Sequence, residues 1–294
     1  MNKHERNAAM SDIFQTIRGQ YSFLTKAEKK VADYVLTNPQ EALYFSITDL
    51  AEACGVGETS VFRFCRDLEQ KGYQDFKMHI AKALASSSEE AKAQQLTGAV
   101  DFKDSLEDVV KKVYTSNLQA LEETYHLVRT ESIRTAVQWM IDAKTIHFMG
   151  VGGSMVTAME AKNRFMRIVP KVHMSSDLHL QLMEASLMDD KDVAIVFSYS
   201  GATKDTLDVA RIIKETGAKL IVITRHQKSP LGKMSDLLLL CGANEGPLQG
   251  GSMAAKMSQL FLLDLLYLEY FKQTSVQSVE RKAKTTAAIS EKQL

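Results

Sequence analysis

The chain has 294 residues, with 36 Lys+Arg against 36 Asp+Glu and 45% hydrophobic residues. That length suits two domains, each with its own core, and the charge balance excludes a global field that would draw the molecule to nucleic acid or to a membrane surface. Any nucleic-acid contact must therefore be local.

The opening MNKHERNAAMSDIF holds no apolar signal core, and Asp264 and Glu269 interrupt the apolar run near Leu260. A cytoplasmic protein with no membrane span is expected. Cys54, Cys65 and Cys241 have spacings that fit neither a disulfide framework nor a zinc site. All three read as buried thiols, and no metal is expected.

Residues 1–84 read as an all-α head. Ile13, Ile17, Tyr21 and Leu24 recur at helical spacing, Thr25 and Glu28 form a capping box for a helix over 27–36, and Asn38-Pro39 stops it. The informative stretch is SITDLAEACGVGETSVFRFCRDL, 46–68. A short helix starting at Thr48 is followed by Gly55, placed where a tight turn needs a left-handed residue, and Glu58 or Thr59 opens a second helix. Val61, Phe64, Cys65 and Leu68 form the inward stripe of that helix, leaving Thr59, Ser60, Arg63 and Arg66 on other faces. Two short helices about a glycine turn, with hydroxyls and arginines near the start of the second, is the layout of a helix-turn-helix DNA reader. In that arrangement Thr59, Ser60 and Arg63 approach bases or phosphates, while Arg66, Lys71 and Lys77 grip the backbone. The alternative is a plain helical bundle with solvated arginines. Eleven basic residues balance eleven acidic ones over 1–84, which favours that alternative, although the basic members cluster between Arg63 and Lys82.

Residues 85–104, ASSSEEAKAQQLTGAVDFKD, are small and polar with no stripe to bury, and read as a linker. From 105 to 272 the pattern changes. Leu106, Val109, Val110, Val113, Leu118 and Leu121 predict a long amphipathic helix, and 133–143 a second. Apolar runs at 145–149, 171–174, 193–197, 220–224 and 237–241 then alternate with helical stretches. Such alternation predicts a doubly wound, parallel, five-stranded α/β sheet with ligands beyond the carboxyl ends of its strands. The last helix, 253–271, is apolar on nearly all sides, as in a central or subunit-buried helix. Residues 273–294 read as a polar tail that frays.

Three of the strand ends carry small and hydroxyl residues: Gly152, Gly153 and Ser154; Ser175 and Ser176; and Ser198, Tyr199, Ser200, Gly201 and Thr203. The last group precedes an amphipathic helix. Free N–H groups and the positive end of its dipole would cradle a phosphate there, unless Ser200 or Thr203 merely caps the helix. A dinucleotide is disfavoured, because the Gly150-Val151-Gly152-Gly153 turn lacks the third glycine spacing and no acidic residue closes the second strand. No cofactor is expected. Convergence at three strand ends favours a polyhydroxylated, phosphorylated ligand.

The body resembles a sugar isomerase (SIS) domain, whose phosphate loop is matched by Ser198-Tyr199-Ser200-Gly201-x-Thr203 and whose first ligand loop by 150–154. The head, with its Arg63-Phe64-Cys65-Arg66 run followed by Gly72-Tyr73-x-x-Phe76-Lys77, resembles that of the RpiR/MurR family of bacterial transcriptional regulators. This resemblance implies operator DNA on the head, a phosphorylated sugar on the body, and a homodimer or homotetramer. At 244–252, NEGPLQGGS, Gln249 and Gly250 stand where relatives often carry an arginine and a serine. SIS domains also serve as isomerases and lyases, so catalysis is the alternative. Its acid–base candidates would be Glu245, His173, His179 and His226, of which Glu245 is read as a ligand acceptor or solvated surface.

Overall fold

The computed structural model describes residues 13–85, 100–101, 103–243, 245 and 251–290. Two compact units part between Val113 and Tyr114, and Glu245 groups with the first of them.

Local capping chemistry sets the helices of the head. Helix α1 (Ile13–Gln20) precedes α2 (Lys26–Thr37), whose N-terminus carries the expected capping box: Thr25 Oγ1 accepts the Glu28 N–H at 3.4 Å, and Glu28 Oε2 accepts the Thr25 N–H at 2.8 Å. Asn38 ends α2, yet Pro39 also opens a further helix, α3 (Pro39–Tyr44), because a missing N–H is harmless in a first helical turn. Helix α4 (Ile47–Ala53) is capped by Ser46 with Asp49, ahead of the expected start at Thr48. Thr48 instead donates to Glu58 Oε1 at 2.8 Å, tying α4 to α5 (Glu58–Asp67) across the turn in which Gly55 has φ +61°. Helix α6 (Tyr73–Ala85) follows. Phe64 and Phe76 meet edge to face at 5.5 Å in a core that also holds Ile17, Val35, Leu43 and Leu50.

The predicted long helix is α7 (Leu106–Leu127), which is followed by α8 (Thr130–Asp142). Then come β1 (Ile146–Gly150), α9 (Gly153–Phe165), β2 (Val172–His173), α10 (Leu178–Ser186), β3 (Val193–Phe197), α11 (Lys204–Thr216), β4 (Lys219–Thr224), α12 (Pro230–Met234), β5 (Leu237–Leu240), α13 (Met253–Gln273) and α14 (Ser275–Ser290). All pairings are parallel, in the order β2-β1-β3-β4-β5, with Ile146 opposite Val193 and Val193 opposite Lys219. Strands β1 and β3 are buried at every position, as continuous apolar runs covered on both faces should be. Alternate residues feed separate cores: Phe148, Ile195 and Phe197 pack with α8, α9 and α13, whereas Met149, Ala194 and Val196 pack with α10, α11 and α12.

Three expectations need correction. Strand β2 is only two residues long, Val172–His173, shorter than the apolar run over 171–174. The supposed fraying tail is helix α14 from Ser275 to Ser290, docked by Arg281 Nη1 on the Ile168 carbonyl at 3.2 Å and by the Thr285 hydroxyl on the Arg167 carbonyl at 3.0 Å. Of the three thiols, Cys65 and Cys241 are buried but Cys54 is only partly so. Most of the expected linker and the 246–250 segment lie outside the described residues. No helix among the described residues is long and apolar enough to cross a membrane.

Candidate functional site

In an open parallel sheet the ligand crevice opens where neighbouring strands send their connections to opposite faces. Here that point lies between β1 and β3, whose carboxyl ends carry two of the three predicted loops. The sequence folds these loops around glycine and hydroxyl side chains, and each residue's role can be read from its bonds.

In the loop after β3, Ser198 is buried and its Oγ accepts the Gly201 N–H at 3.2 Å. Gly201 is itself buried at φ +61°, and its carbonyl accepts the Leu231 N–H at 2.9 Å. Both were expected to touch ligand. Through these bonds they also shape the loop from within. The Tyr199 hydroxyl donates to the Ala243 carbonyl at 3.0 Å, and the Tyr199 carbonyl accepts from Thr224 Oγ1 at 3.0 Å and from the Arg225 N–H at 3.1 Å. Ser200 and Thr203 remain accessible, with their hydroxyl oxygens 3.5 Å apart. Thr203 is the N-cap of α11, but its side chain accepts no capping hydrogen bond. The simple capping alternative therefore fails at Thr203, and the first turn of α11 keeps unsatisfied N–H groups beside two hydroxyls. Such a turn attracts an anion through both its donors and its dipole.

The loop after β1 is similar. Gly152 is the N-cap of α9 and offers no side chain, and Gly152 and Gly153 are exposed. Ser154 Oγ accepts from Gln259 Nε2 at 3.4 Å, and Gln259 Oε1 accepts from the Thr157 hydroxyl at 2.9 Å. After β2, Ser175 is partly exposed and Ser176 exposed, but the following helix is capped by Asp177, which accepts the Leu180 N–H at 3.1 Å. That helix end is thus less receptive than the one after Thr203. Among the acid–base candidates, His179 and His173 are exposed, His173 lying 4.0 Å from Glu184, and the His226 ring meets Tyr199 edge to face at 5.9 Å. Glu245 is partly exposed.

Sequence reasoning missed the residues that brace these loops. Gln181 is buried and uses both ends of its amide on the backbone of Gly150, donating to the carbonyl at 3.0 Å and accepting the N–H at 3.3 Å. Arg225, directly after β4, was also passed over, although Thr224-Arg225-His226 at a strand end was a readable signal. Within β1, His147 is buried beside His173, with ring centroids 5.4 Å apart. Burial pushes its pKa down to about 4, opposed by the nearby Asp192 carboxylate.

On the head, Thr59, Arg63, Arg66 and Lys71 are exposed, and Ser60 is partly so. Arg66 Nη1 donates to the Gln70 carbonyl at 3.2 Å, which steadies its stem near the end of α5. Lys77 is a correction. It is buried, its Nζ donates to the Phe45 carbonyl at 2.9 Å, and burial pushes its pKa down to about 8. A lysine so placed braces the head from within and cannot reach a phosphate backbone.

Comparison with known proteins matches both halves. Residues 11–87 match the helix-turn-helix domain of the rpiR family, and residues 140–269 match the SIS domain. The chain is 35% identical over 259 residues to an uncharacterized HTH-type transcriptional regulator of Caldanaerobacter subterraneus, covering 88% of this chain and 90% of that one. It is also 35% identical over 257 residues to the HTH-type transcriptional regulator HexR of Pseudomonas aeruginosa, covering 87% and 88%. Among solved structures, Vibrio vulnificus NanR complexed with ManNAc-6P is similar with a TM-score of 0.84 and 28% identity, over 96% of this chain and 99% of that one.

Proposed function

Because the chain belongs to the rpiR family of HTH-type transcriptional regulators with an SIS domain, we propose that its head binds operator DNA and its body senses a phosphorylated sugar, without catalysis. The observation that carries the sensing half is the uncapped first turn of α11, flanked by the accessible hydroxyls of Ser200 and Thr203 at the β1/β3 crevice. A phosphate seated there would complete donors that the protein leaves open. Gly152, Gly153, Ser154, Ser175 and Ser176 edge the same end of the sheet and suit sugar hydroxyls. The NanR complex with ManNAc-6P supports this ligand class.

On the head, Thr59, Ser60 and Arg63 read the groove from the start of α5, and Arg66 and Lys71 hold phosphates. A symmetric homodimer or homotetramer would present paired heads to a palindromic operator, in the cytoplasm. The two relatives named above are both HTH-type transcriptional regulators, which favours a sensor over an isomerase. A thermal-shift screen against a panel of sugar phosphates tests the reading, since a ligand bound only by the folded state raises its melting temperature. No shift with any member, or turnover of one, would count against it.

A further inference from the structure

One short segment after β5 is bonded on one side to the phosphate loop and on the other to α7. Gly242 lies against α7 more closely than any side chain would permit: a Cβ there would sit 2.6 Å from Glu123 Cβ and 2.7 Å from the Ala120 carbonyl oxygen. Its N–H donates to Thr124 Oγ1 at 2.8 Å, and the Ala243 N–H donates to Glu123 Oε2 at 3.2 Å. The Thr124 hydroxyl is buried and donates to the Ala120 carbonyl at 2.6 Å, so its lone pair is held facing Gly242. At its other end Ala243 accepts, through its carbonyl, the hydroxyl of Tyr199 at 3.0 Å. A second link runs alongside, with the Arg225 guanidinium 3.8 Å from the Glu123 carboxylate.

Ala243 is also strained. Its φ is +81°, a left-handed conformation that costs a residue with a Cβ free energy and persists only where its surroundings impose it. Here a helix holds its N–H and a loop tyrosine holds its carbonyl. A small displacement of either partner changes how well that conformation is supported, which is the behaviour expected of a coupling element.

Resting on the phosphate-loop reading above, we propose that Gly242 and Ala243 form a relay: phosphate capture beside Ser200 and Thr203 shifts Tyr199, and α7, the helix by which the chain passes from head to body, follows. Coupling of this kind is reciprocal, so the position of α7 also tunes the affinity of the phosphate loop.

Hydrogen–deuterium exchange on the full chain tests this, with inorganic phosphate as the probe and chloride at equal ionic strength as the control. In the wild-type protein, phosphate should slow exchange at residues 203–206 and change exchange at 120–127 by about fivefold or more, the low end of allosteric coupling. Tyr199→Phe, checked for an unchanged circular dichroism spectrum and read at phosphate concentrations that give loop protection, should lose the change at 120–127. Ala243→Gly, which removes the strain without removing a hydrogen bond, should weaken that change while leaving the chain folded. Loop protection with no change at 120–127 in the wild type, or an undiminished change in Tyr199→Phe, would overturn the relay and leave the phosphate reading standing. Absence of loop protection in the wild type would overturn both.

Discussion

Gly201 and Ser229 stand so close that a methyl group added to the glycine would lie 2.1 Å from the serine hydroxyl oxygen. Gly201 also has φ +61°. Two separate penalties thus fall on Gly201→Ala: a left-handed backbone costing roughly 1–2 kcal/mol and overpacking costing roughly 1–3 kcal/mol. Urea denaturation should show a loss of about 2–5 kcal/mol, and the thermal shift with sugar phosphates should disappear. A variant of wild-type stability would mean that the loop is looser than its contacts imply.

The head makes a sharper comparison possible. Arg63→Ala should weaken operator binding by about 1–3 kcal/mol while leaving the melting temperature in place. Lys71→Ala should reduce the salt slope of binding by roughly one. Lys77→Met should leave the salt slope alone and alter stability, since the Lys77 amine is bonded to the Phe45 carbonyl inside the head. Gel-shift titrations across a salt series separate the three, and a Lys77 variant with a reduced salt slope would refute the interior assignment.

Replacing Ser200 by tryptophan should abolish any sugar-phosphate thermal shift yet spare operator affinity, because Ser200 is accessible at the crevice rather than packed in the core. Persistence of the ligand response in that variant would place the phosphate elsewhere.

Acid should weaken the body through His147. Its folded pKa, about 4, lies below the unfolded value of 6.5, so between those values the unfolded chain binds the extra proton and stability rises with pH. Falling from pH 7 to pH 5 should cost on the order of 2 kcal/mol from this residue. His147→Gln should show a shallower acid limb in melting curves between pH 4 and pH 7. Parallel limbs would show that other groups dominate.

Much of this was legible because the signals were local. The Thr25–Glu28 box, the Gly55 turn, the stripe of Val61, Phe64, Cys65 and Leu68, and the apolar runs of β1 and β3 each depend on neighbours a few residues away. What escaped was long-range. Lys77 follows an aromatic and looks like a surface cation, and only the fold brings the Phe45 carbonyl to its amine. Ser198 and Ser200 are alike in sequence, and each accepts a nearby N–H, yet one is buried while the other stays partly exposed. Gln181 and Thr124 serve backbone groups 31 and 118 residues away, and no periodicity could reveal that. Helix α14 was missed because its anchoring contacts come from Arg281 and Thr285 rather than from an apolar stripe.

The margins of the sheet have a consequence for how these molecules behave when crowded. Strand β2 spans two residues and β5 four. Exposed N–H and C=O rows of that length give a stray extended peptide almost nothing to zip onto, so the body is guarded against the edge-to-edge stacking that seeds fibrils.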